Sequence, residues 1–128
     1  MIFGIGTDIV SIQRMANNVT RYGDRFAQRI LADDEMARYR ESPRQAHFLA
    51  KRFAAKEATA KALGTGIRDG LSLRDIRVEN DPLGKPLLVF SHEGGDKLRQ
   101  RRIGAAHLSI SDEMDYAIAF VTLELAQA

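Results

Sequence analysis

Two acidic residues lie in surroundings where a carboxylate is unusual. Asp8 comes late in the apolar segment MIFGIGTDIV, and Glu57 lies among basic residues in KRFAAKEATAKALGTG. A carboxylate beside a hydrophobic strand is costly to bury unless it is solvated, caps a helix, pairs with a base or binds a cation. Each of these two acids is therefore a candidate for chemistry, and each also has an ordinary structural interpretation.

Glu57 and Lys61 are four residues apart, so they are neighbours on one face of a helix, with Phe53 in the same row. One interpretation is a surface ion pair that stabilises the helix by roughly 0.2–0.5 kcal/mol. The other is a ligand site, because the helix ends in the loop 64–66, GTG, whose backbone N–H groups could bind an anion. The segment taken alone does not choose between them.

Asp8 also has two interpretations. It could cap a helix that begins near Ile9, since Asp is a favoured capping residue. Alternatively, Asp8 and Glu57 could converge on one hard cation. Two carboxylates, with waters and substrate phosphate oxygens, are the usual way in which proteins hold Mg²⁺.

The hydrophobic pattern predicts the elements that must position these residues. Residues 2–9 have the pattern of a strand, and Ser11 can cap a helix with Ile12, Met15 and Val19 on one face. Further helices are predicted from Asp24 and Asp33, then a longer one over residues 44–63 that ends at Gly64. The period then changes to strands at LRDIRVEND, KPLLVFS, HLSIS and YAIAFVTLEL, with one helix in HEGGDKLRQRR. This pattern predicts an α+β fold with an antiparallel sheet packed with helices, and 128 residues fit one domain over 1–128.

The composition narrows the classes of function. The net charge is only +2, and no stacking platform of interleaved aromatics accompanies the basic residues, which disfavours nucleic-acid binding. The apolar start lacks a basic region and contains Asp8, so it fits neither a signal peptide nor a membrane span. With no cysteine for disulfides, we expect a cytoplasmic location.

Arginine outnumbers lysine by fourteen to five, which favours bidentate binding of phosphates or carboxylates. Arg14, Arg21 and Arg25 could form a basic strip for an acidic helical partner, or they could lie on an ordinary solvated face. A non-catalytic module that binds an acidic protein through this strip is therefore an alternative function. Such a module would not need Asp8 and Glu57 to meet.

Several motifs occur together in one order: GIGTDIV, then FLAKRFAAKEATAKALGTG, then GKP, then HLSIS. In this order they closely resemble the holo-acyl carrier protein synthases, the small 4′-phosphopantetheinyl transferases, over nearly the whole chain. The resemblance implies the fold of that family and a Mg²⁺-dependent transfer of phosphopantetheine from coenzyme A to a serine of apo-acyl carrier protein. Adenosine 3′,5′-bisphosphate would be released. It also implies a homotrimer with active sites between subunits, and an acidic carrier protein as partner, which belongs to fatty acid or polyketide synthesis.

The resemblance also implies roles for particular residues. Asp8 and Glu57 match the metal ligands, Lys61 matches the lysine beside the pyrophosphate, and these three are the expected catalytic residues. The proton of the incoming serine would go to Glu57 directly or to a metal-bound water. One departure is Asp112, which stands where many relatives have a histidine. The residues expected at the coenzyme A site are Arg52, Lys61, Gly64, Thr65, Gly66, Lys85, Pro86, His107 and Ser109.

Overall fold

The computed structural model describes residues 1–67 and 70–127. Within them, helices and strands follow one another in the predicted order. The strands are β1 (Ile2–Ser11), β2 (Ile76–Asn80), β3 (Pro86–Phe90), β4 (Ile103–Asp112) and β5 (Tyr116–Leu125). The helices are α1 (Ile12–Tyr22), α2 (Asp24–Ile30), α3 (Asp33–Glu41), α4 (Gln45–Leu63) and α5 (His92–Gln100), with a short 3-10 helix at Leu73–Asp75.

The strands form two antiparallel sheets. One sheet has the order β1-β5-β4, so β5 is its central strand, and the other is the β2–β3 hairpin. The strands predicted in LRDIRVEND and KPLLVFS pair as this hairpin, with Asn80 opposite Pro86 and Ile76 opposite Phe90. The predicted α+β class is likewise confirmed.

The three-stranded sheet has an inner face, which packs against α4, and an outer face, which is exposed. Antiparallel pairing places partner residues on the same face, because successive side chains of a strand alternate in direction. On the inner face, Asp8 pairs with Ala119 and Gly6 with Val121. On the outer face, Thr7 pairs with Phe120 and Ile9 with Ile118. Asp8 is therefore directed towards α4.

Two glycines of β1 allow α4 to lie unusually close to the sheet. A Cβ at Gly4 would come 2.1 Å from the carbonyl oxygen of Ala62, and one at Gly6 would come 2.0 Å from that of Ala58. No side chain fits at such distances, so the glycines and the small alanines of α4 together set the separation of helix and strand.

The helix ends follow the predicted signals. Ser11 caps α1, its Oγ accepting from the N–H of Arg14 at 3.2 Å. Gly64 ends α4 with φ of 82°, in the left-handed region that glycine adopts without strain. The interpretation of Asp8 as a helix cap is wrong, because Asp8 lies inside β1 and the helix begins only at Ile12.

Helix α4 is the long central element, 19 residues with alanines at most of its buried positions. Charged residues interrupt this sequence, which separates it from an apolar membrane helix. Among residues 1–67 and 70–127, no helix combines the length and the apolar character needed to cross a bilayer.

Candidate active site

Asp8, Glu57 and Lys61 lie together at one end of α4, and we call them the acidic site. Lys61 Nζ donates to Asp8 Oδ1 at 3.1 Å and to the carbonyl oxygen of Thr7 at 3.0 Å. The Asp8 side chain is 17% exposed and that of Lys61 57% exposed. Since Gly4 and Gly6 hold α4 against β1, residues more than fifty positions apart reach hydrogen-bonding distance.

The electrostatics of the acidic site favour an added positive charge. Burial raises the pKa of Glu57 above its ordinary value, the negative charge of Asp8 raises this pKa further, and Lys61 opposes both effects. A carboxylate with a raised pKa is less stable when ionised than one in water. A cation placed between Asp8 and Glu57 would remove that penalty.

Asp8 and Glu57 also line a common cleft of about 450 Å³, which we call the acidic cleft. Its opposite wall comes from α1 and α2, so the cleft lies between the sheet, α4 and the first two helices. Apolar and polar groups are mixed on its walls, as in sites that orient a ligand through few contacts. The other residues that line it are Ile9, Val10, Ser11, Arg14, Met15, Asn18, Phe26 and Phe53.

The acidic site supplies two carboxylates but no larger group of metal ligands. In the part of the chain that the structure describes, no three His, Asp or Glu side chains come together as a metal-binding group. This donor set fits Mg²⁺, which keeps most of its water and is usually held by one or two carboxylates plus substrate phosphates. It does not fit a dedicated all-protein metal cage.

Arg52, expected at the coenzyme A site, does not line the acidic cleft but is buried on another side of α4. Its side chain is 8% exposed, lies 3.3 Å from Glu35 Oε2 and stacks on Phe48 at 3.9 Å. Lys56, the residue before Glu57, is 0% exposed and donates to Glu35 Oε1 at 2.5 Å. Glu35, Arg52 and Lys56 form what we call the buried cluster, in which the guanidinium group contacts Glu35 and the carbonyl oxygen of Val78.

The buried cluster could not be recognised from the sequence. Asp33, Asp34 and Glu35 occur in succession and predict only an acidic first turn of a helix. In the structure Asp33 and Asp34 bind surface arginines, and only Glu35 turns inward. The available signal was Lys56, a lysine within the alanine-rich segment AAKEATA.

In the loop 64–66, two backbone N–H groups already have partners, since that of Gly64 donates to the carbonyl oxygen of Lys61 at 3.0 Å. Gly66 has φ of 70°, and its N–H donates to the carbonyl oxygen of Ala60 at 3.3 Å. Arg101 donates to the carbonyl oxygen of Leu63 at 2.7 Å and to Thr65 Oγ1 at 3.4 Å. Arg101 therefore supports the end of α4 and the loop 64–66.

Lys85 and Pro86 lie in the β2–β3 hairpin, where Lys85 is exposed in the turn and Pro86 begins β3. The carboxylate of Asp81 organises this turn by accepting from the N–H groups of Leu83 at 2.9 Å and Lys85 at 2.8 Å. The Lys85 side chain is thus presented to solvent from an ordered turn.

His107 and Ser109 lie on the outer face of the three-stranded sheet, opposite Thr122 and Phe120. His107 Nε2 is 3.0 Å from Glu124 Oε2, and this hydrogen bond lowers the pKa of Glu124. The acidic site lies on the inner face. One copy of the chain therefore does not bring the two groups of expected site residues together.

The basic strip adjoins the acidic cleft. Arg14 lines that cleft directly, whereas Arg21 and Arg25 line a neighbouring cavity of about 560 Å³ together with Tyr22. Phe26 lines both. Arg29 lines the second cavity as well; the sequence pattern had not singled it out.

The protein-family match and the similar proteins point to the same family. Residues 4–121 match the model of the 4′-phosphopantetheinyl transferase superfamily. A relative from Vibrio cholerae, named holo-[acyl-carrier-protein] synthase, is 50% identical over 97% of this chain and 98% of its own length.

Solved structures agree. The holo-[acyl-carrier-protein] synthase of Neisseria meningitidis superposes with a TM-score of 0.93 at 45% identity, covering 97% of this chain and 99% of that one. The Helicobacter pylori synthase, solved in complex with coenzyme A, has a TM-score of 0.82 at 36% identity, with 94% and 99% coverage.

Proposed function

Because the chain belongs to the 4′-phosphopantetheinyl transferase superfamily, we propose that it acts as a holo-acyl carrier protein synthase with its catalytic groups at Asp8, Glu57 and Lys61. It would transfer 4′-phosphopantetheine from coenzyme A to a serine of apo-acyl carrier protein and release adenosine 3′,5′-bisphosphate. The observation that carries the site assignment is the meeting of these three residues, from β1 and α4, at one cleft.

Displacement at a pyrophosphate phosphorus increases negative charge on the phosphoryl oxygens and on the departing oxygen. A preformed positive group at that point lowers the barrier, because it needs no rearrangement during the reaction. Lys61 fits this role, since its side chain is more than half exposed and its ammonium group is held by Asp8 and the Thr7 carbonyl.

Glu57 is the proposed proton acceptor for the serine hydroxyl. It lies at the acidic cleft beside Asp8, and it would take the proton directly or through a metal-bound water. Its partly buried position at the cleft also limits competition from solvent.

Asp8 and Glu57 would hold Mg²⁺. When bound, the ion would neutralise charge on the diphosphate and polarise the phosphoryl oxygen. The carboxylate pair fits this role because a cation would offset both effects that raise the pKa of Glu57, its burial and the negative charge of Asp8.

The basic strip of Arg14, Arg21 and Arg25, extended by Arg29, is the proposed docking surface for an acidic carrier protein. Arg14 lines the acidic cleft itself, so a carrier bound along the strip would present its serine near Glu57. Charges of this kind raise the rate of association more than the final affinity.

We propose a homotrimer as the active form. The outer face exposes apolar side chains on β1 and β5, including Ile9 at 61%, Ile5 at 58% and Phe120 at 46%. An apolar patch of this kind is typical of an interface between chains. Because His107 and Ser109 lie on this face, a neighbouring copy is required if they and the acidic site are to contact one coenzyme A molecule.

Residues 64–66, Lys85 and Pro86 remain proposed contacts of coenzyme A. The exposed side chain of Lys85 suits a phosphate group. A single domain and a cytoplasmic location also stay predictions, as does the choice between fatty acid and polyketide carriers.

The direct test is transfer of labelled phosphopantetheine from coenzyme A to a panel of apo-carrier proteins with Mg²⁺ present. We expect label on the carrier serine and none after removal of Mg²⁺ by a chelator. Absence of transfer to every carrier would refute the proposed activity. Carrier binding without Mg²⁺-dependent binding of coenzyme A would instead favour the non-catalytic module.

A further inference from the structure

The buried cluster lies on the side of α4 away from the sheet, and the proposed chemistry does not use it. Glu35 is 1% exposed, Lys56 0% and Arg52 6%. These are charged groups that proteins rarely bury completely. Their position next to Glu57 in the chain requires an explanation.

Glu35 and Lys56 connect four elements. Glu35 Oε1 accepts from Lys56 Nζ at 2.5 Å and from the N–H of Ala32 at 3.0 Å, while Oε2 accepts from the N–H of Val78 at 3.0 Å. Lys56 Nζ also donates to the carbonyl oxygen of Ile30 at 2.6 Å. The end of α2, the start of α3, strand β2 and helix α4 are thus fixed to one another.

Around the axis of α4, Lys56 lies on nearly the opposite side from the residues that contact the sheet. Successive side chains of an α-helix are rotated by about 100° around its axis, so Ala58 points about 200° away from Lys56. Ala58 and Ala62 contact β1 at Gly6 and Gly4. Helix α4 is therefore held from two nearly opposite sides, and Glu57 projects between them.

Stability alone does not account for the cluster. Burying a charge pair costs a desolvation free energy that often equals or exceeds the attraction, and apolar replacements of similar size are frequently neutral or stabilising. Burial lowers the pKa of Lys56, which reflects this desolvation, and Glu35 opposes the shift. Hydrogen bonds of fixed length define the rotation of the helix about its axis and its position along that axis, whereas apolar contacts do not.

The rotation and position of α4 matter at the acidic site. Glu57 comes from α4 and Asp8 from β1, so their separation depends on how α4 sits on the sheet. Enzyme reactions tolerate only small displacements of the catalytic groups, well below 1 Å.

We propose that Lys56 and Glu35 are positioning residues, which fix the rotation of α4 and so hold the Glu57 carboxylate opposite Asp8. The inference rests on the proposed function, because it assigns this geometry a role in the transfer reaction. Neither residue contacts the cleft, so both act through Glu57 and not on the substrate.

The test replaces Lys56 with Met, which is unbranched and only one atom shorter, and which removes the charge and the hydrogen bonds. Turnover is measured with labelled coenzyme A and apo-carrier protein, as a function of Mg²⁺ concentration, well below the melting temperature of the variant. We expect Lys56→Met to lower turnover by about tenfold and to raise the Mg²⁺ concentration for half-maximal rate several-fold. The KM for the carrier should change less than turnover does, because Arg14 and Arg21 of the basic strip lie on α1, which the buried cluster does not contact, whereas Arg25 lies on α2.

Calorimetric binding of coenzyme A in the presence of Mg²⁺ gives a readout other than activity. Lys56→Met should weaken this binding several-fold. Without Mg²⁺ the variant should lose less of this binding than it does with Mg²⁺, because the displaced carboxylate then holds no metal ion, although Lys61 moves with the same helix.

Leu98→Ala is the matched control. Leu98 is 5% exposed in α5, so its truncation lowers stability at a site remote from α4. If Leu98→Ala keeps the parent turnover and Mg²⁺ dependence while Lys56→Met loses them at a similar melting temperature, the positioning role is supported. Parent-like kinetics in Lys56→Met, or equal losses in both variants, would overturn it.

Glu35→Gln keeps the inference testable if Lys56→Met does not fold. The amide oxygen can still accept from a backbone N–H, but the charge on Lys56 is no longer balanced. We expect Glu35→Gln to change turnover and Mg²⁺ dependence in the same direction, and the double variant to be no worse than the poorer single one. Independent, additive effects contradict the proposal. Failure of the parent protein to transfer label would instead refute the proposed function.

Discussion

Helix α4 carries two charged groups on different sides, and they differ in almost every physical respect. The acidic site places Asp8 and Glu57 beside one lysine that is more than half exposed. The buried cluster places Glu35 against Lys56, Arg52 and two backbone N–H groups, out of contact with solvent. The Glu35 carboxylate has hydrogen-bond partners at both oxygens, whereas Asp8 and Glu57 keep oxygen positions at which a metal ion could be coordinated.

This difference shows what makes a carboxylate available for chemistry. Glu35 already accepts hydrogen bonds at both oxygens, so a ligand would have to displace them. Burial and the charge of Asp8 raise the pKa of Glu57, so that group gains from a cation or a proton. Lys56 and Glu57 are adjacent in sequence, yet one belongs to the framework and the other to the site.

The largest expected effect comes from removing a carboxylate of the acidic site. Glu57→Gln, and separately Asp8→Asn, should lower the rate of phosphopantetheine transfer by about 1,000-fold or more, because each removes a proposed metal ligand and Glu57 also the base. The labelled transfer assay measures this loss, with circular dichroism to verify the fold. Glu41→Gln, at the exposed end of α3, is the control and should keep full activity. Near-normal rates in both site variants would refute the assignment.

Breaking the buried cluster should instead lower stability. Lys56→Ala leaves Glu35 charged and without its closest partner, so we expect the free energy of unfolding to fall by about 3 to 5 kcal/mol. Asp24→Ala breaks the exposed pair with Arg40 and should cost no more than about 1 kcal/mol. Urea denaturation measures both. Equal losses would mean that burial does not distinguish the two ion pairs.

Gly6→Ala should affect the acidic site through the backbone. The added Cβ would meet the carbonyl oxygen of Ala58, so α4 must move away from β1, at a cost of about 1 to 3 kcal/mol. Transfer should fall by about 100-fold, since Glu57 moves relative to Asp8. Gly95→Ala in α5, where the new Cβ meets only a flexible arginine side chain, is the control and should keep activity. Full activity in Gly6→Ala would show that the close approach is unnecessary.

The smallest effect is a pH dependence of stability. The pKa of Glu57 is higher in the folded protein than its ordinary value, so the folded state binds this proton more tightly than the unfolded state. The resulting destabilisation is absent below the ordinary pKa of 4.5 and develops fully as the pH rises above the raised value. Glu57→Gln should therefore gain stability relative to the parent protein across that interval. Urea titrations of both proteins in Mg²⁺-free buffer measure the difference, and a constant difference from pH 4 to pH 8 would contradict the shift.

Much of the fold could be predicted because its signals are local. Ser11 caps α1, Gly64 ends α4, and alternation marks β5, since each of these features depends on residues within a few positions. The types and spacing of Glu57 and Lys61 likewise suggested chemistry on one helix face.

The rest depended on contacts that no local pattern contains. The sequence left open whether Asp8 caps a helix or faces Glu57, and the pairing of β1 with β5 decided it. It also grouped Arg52 with the ligand-binding residues, whereas the structure turns that side chain inward to Glu35.

By itself, then, the sequence determined the elements, their ends and the residue types of the site, because backbone preferences and capping act over a few residues. Only the tertiary structure decided which charges are buried and which face the cleft. The burial of these charges depends on contacts between residues that are distant in the sequence, such as Glu35 and Val78, which lie 43 positions apart. The burial of a side chain depends on what packs against it, and that is known only when the chain has folded.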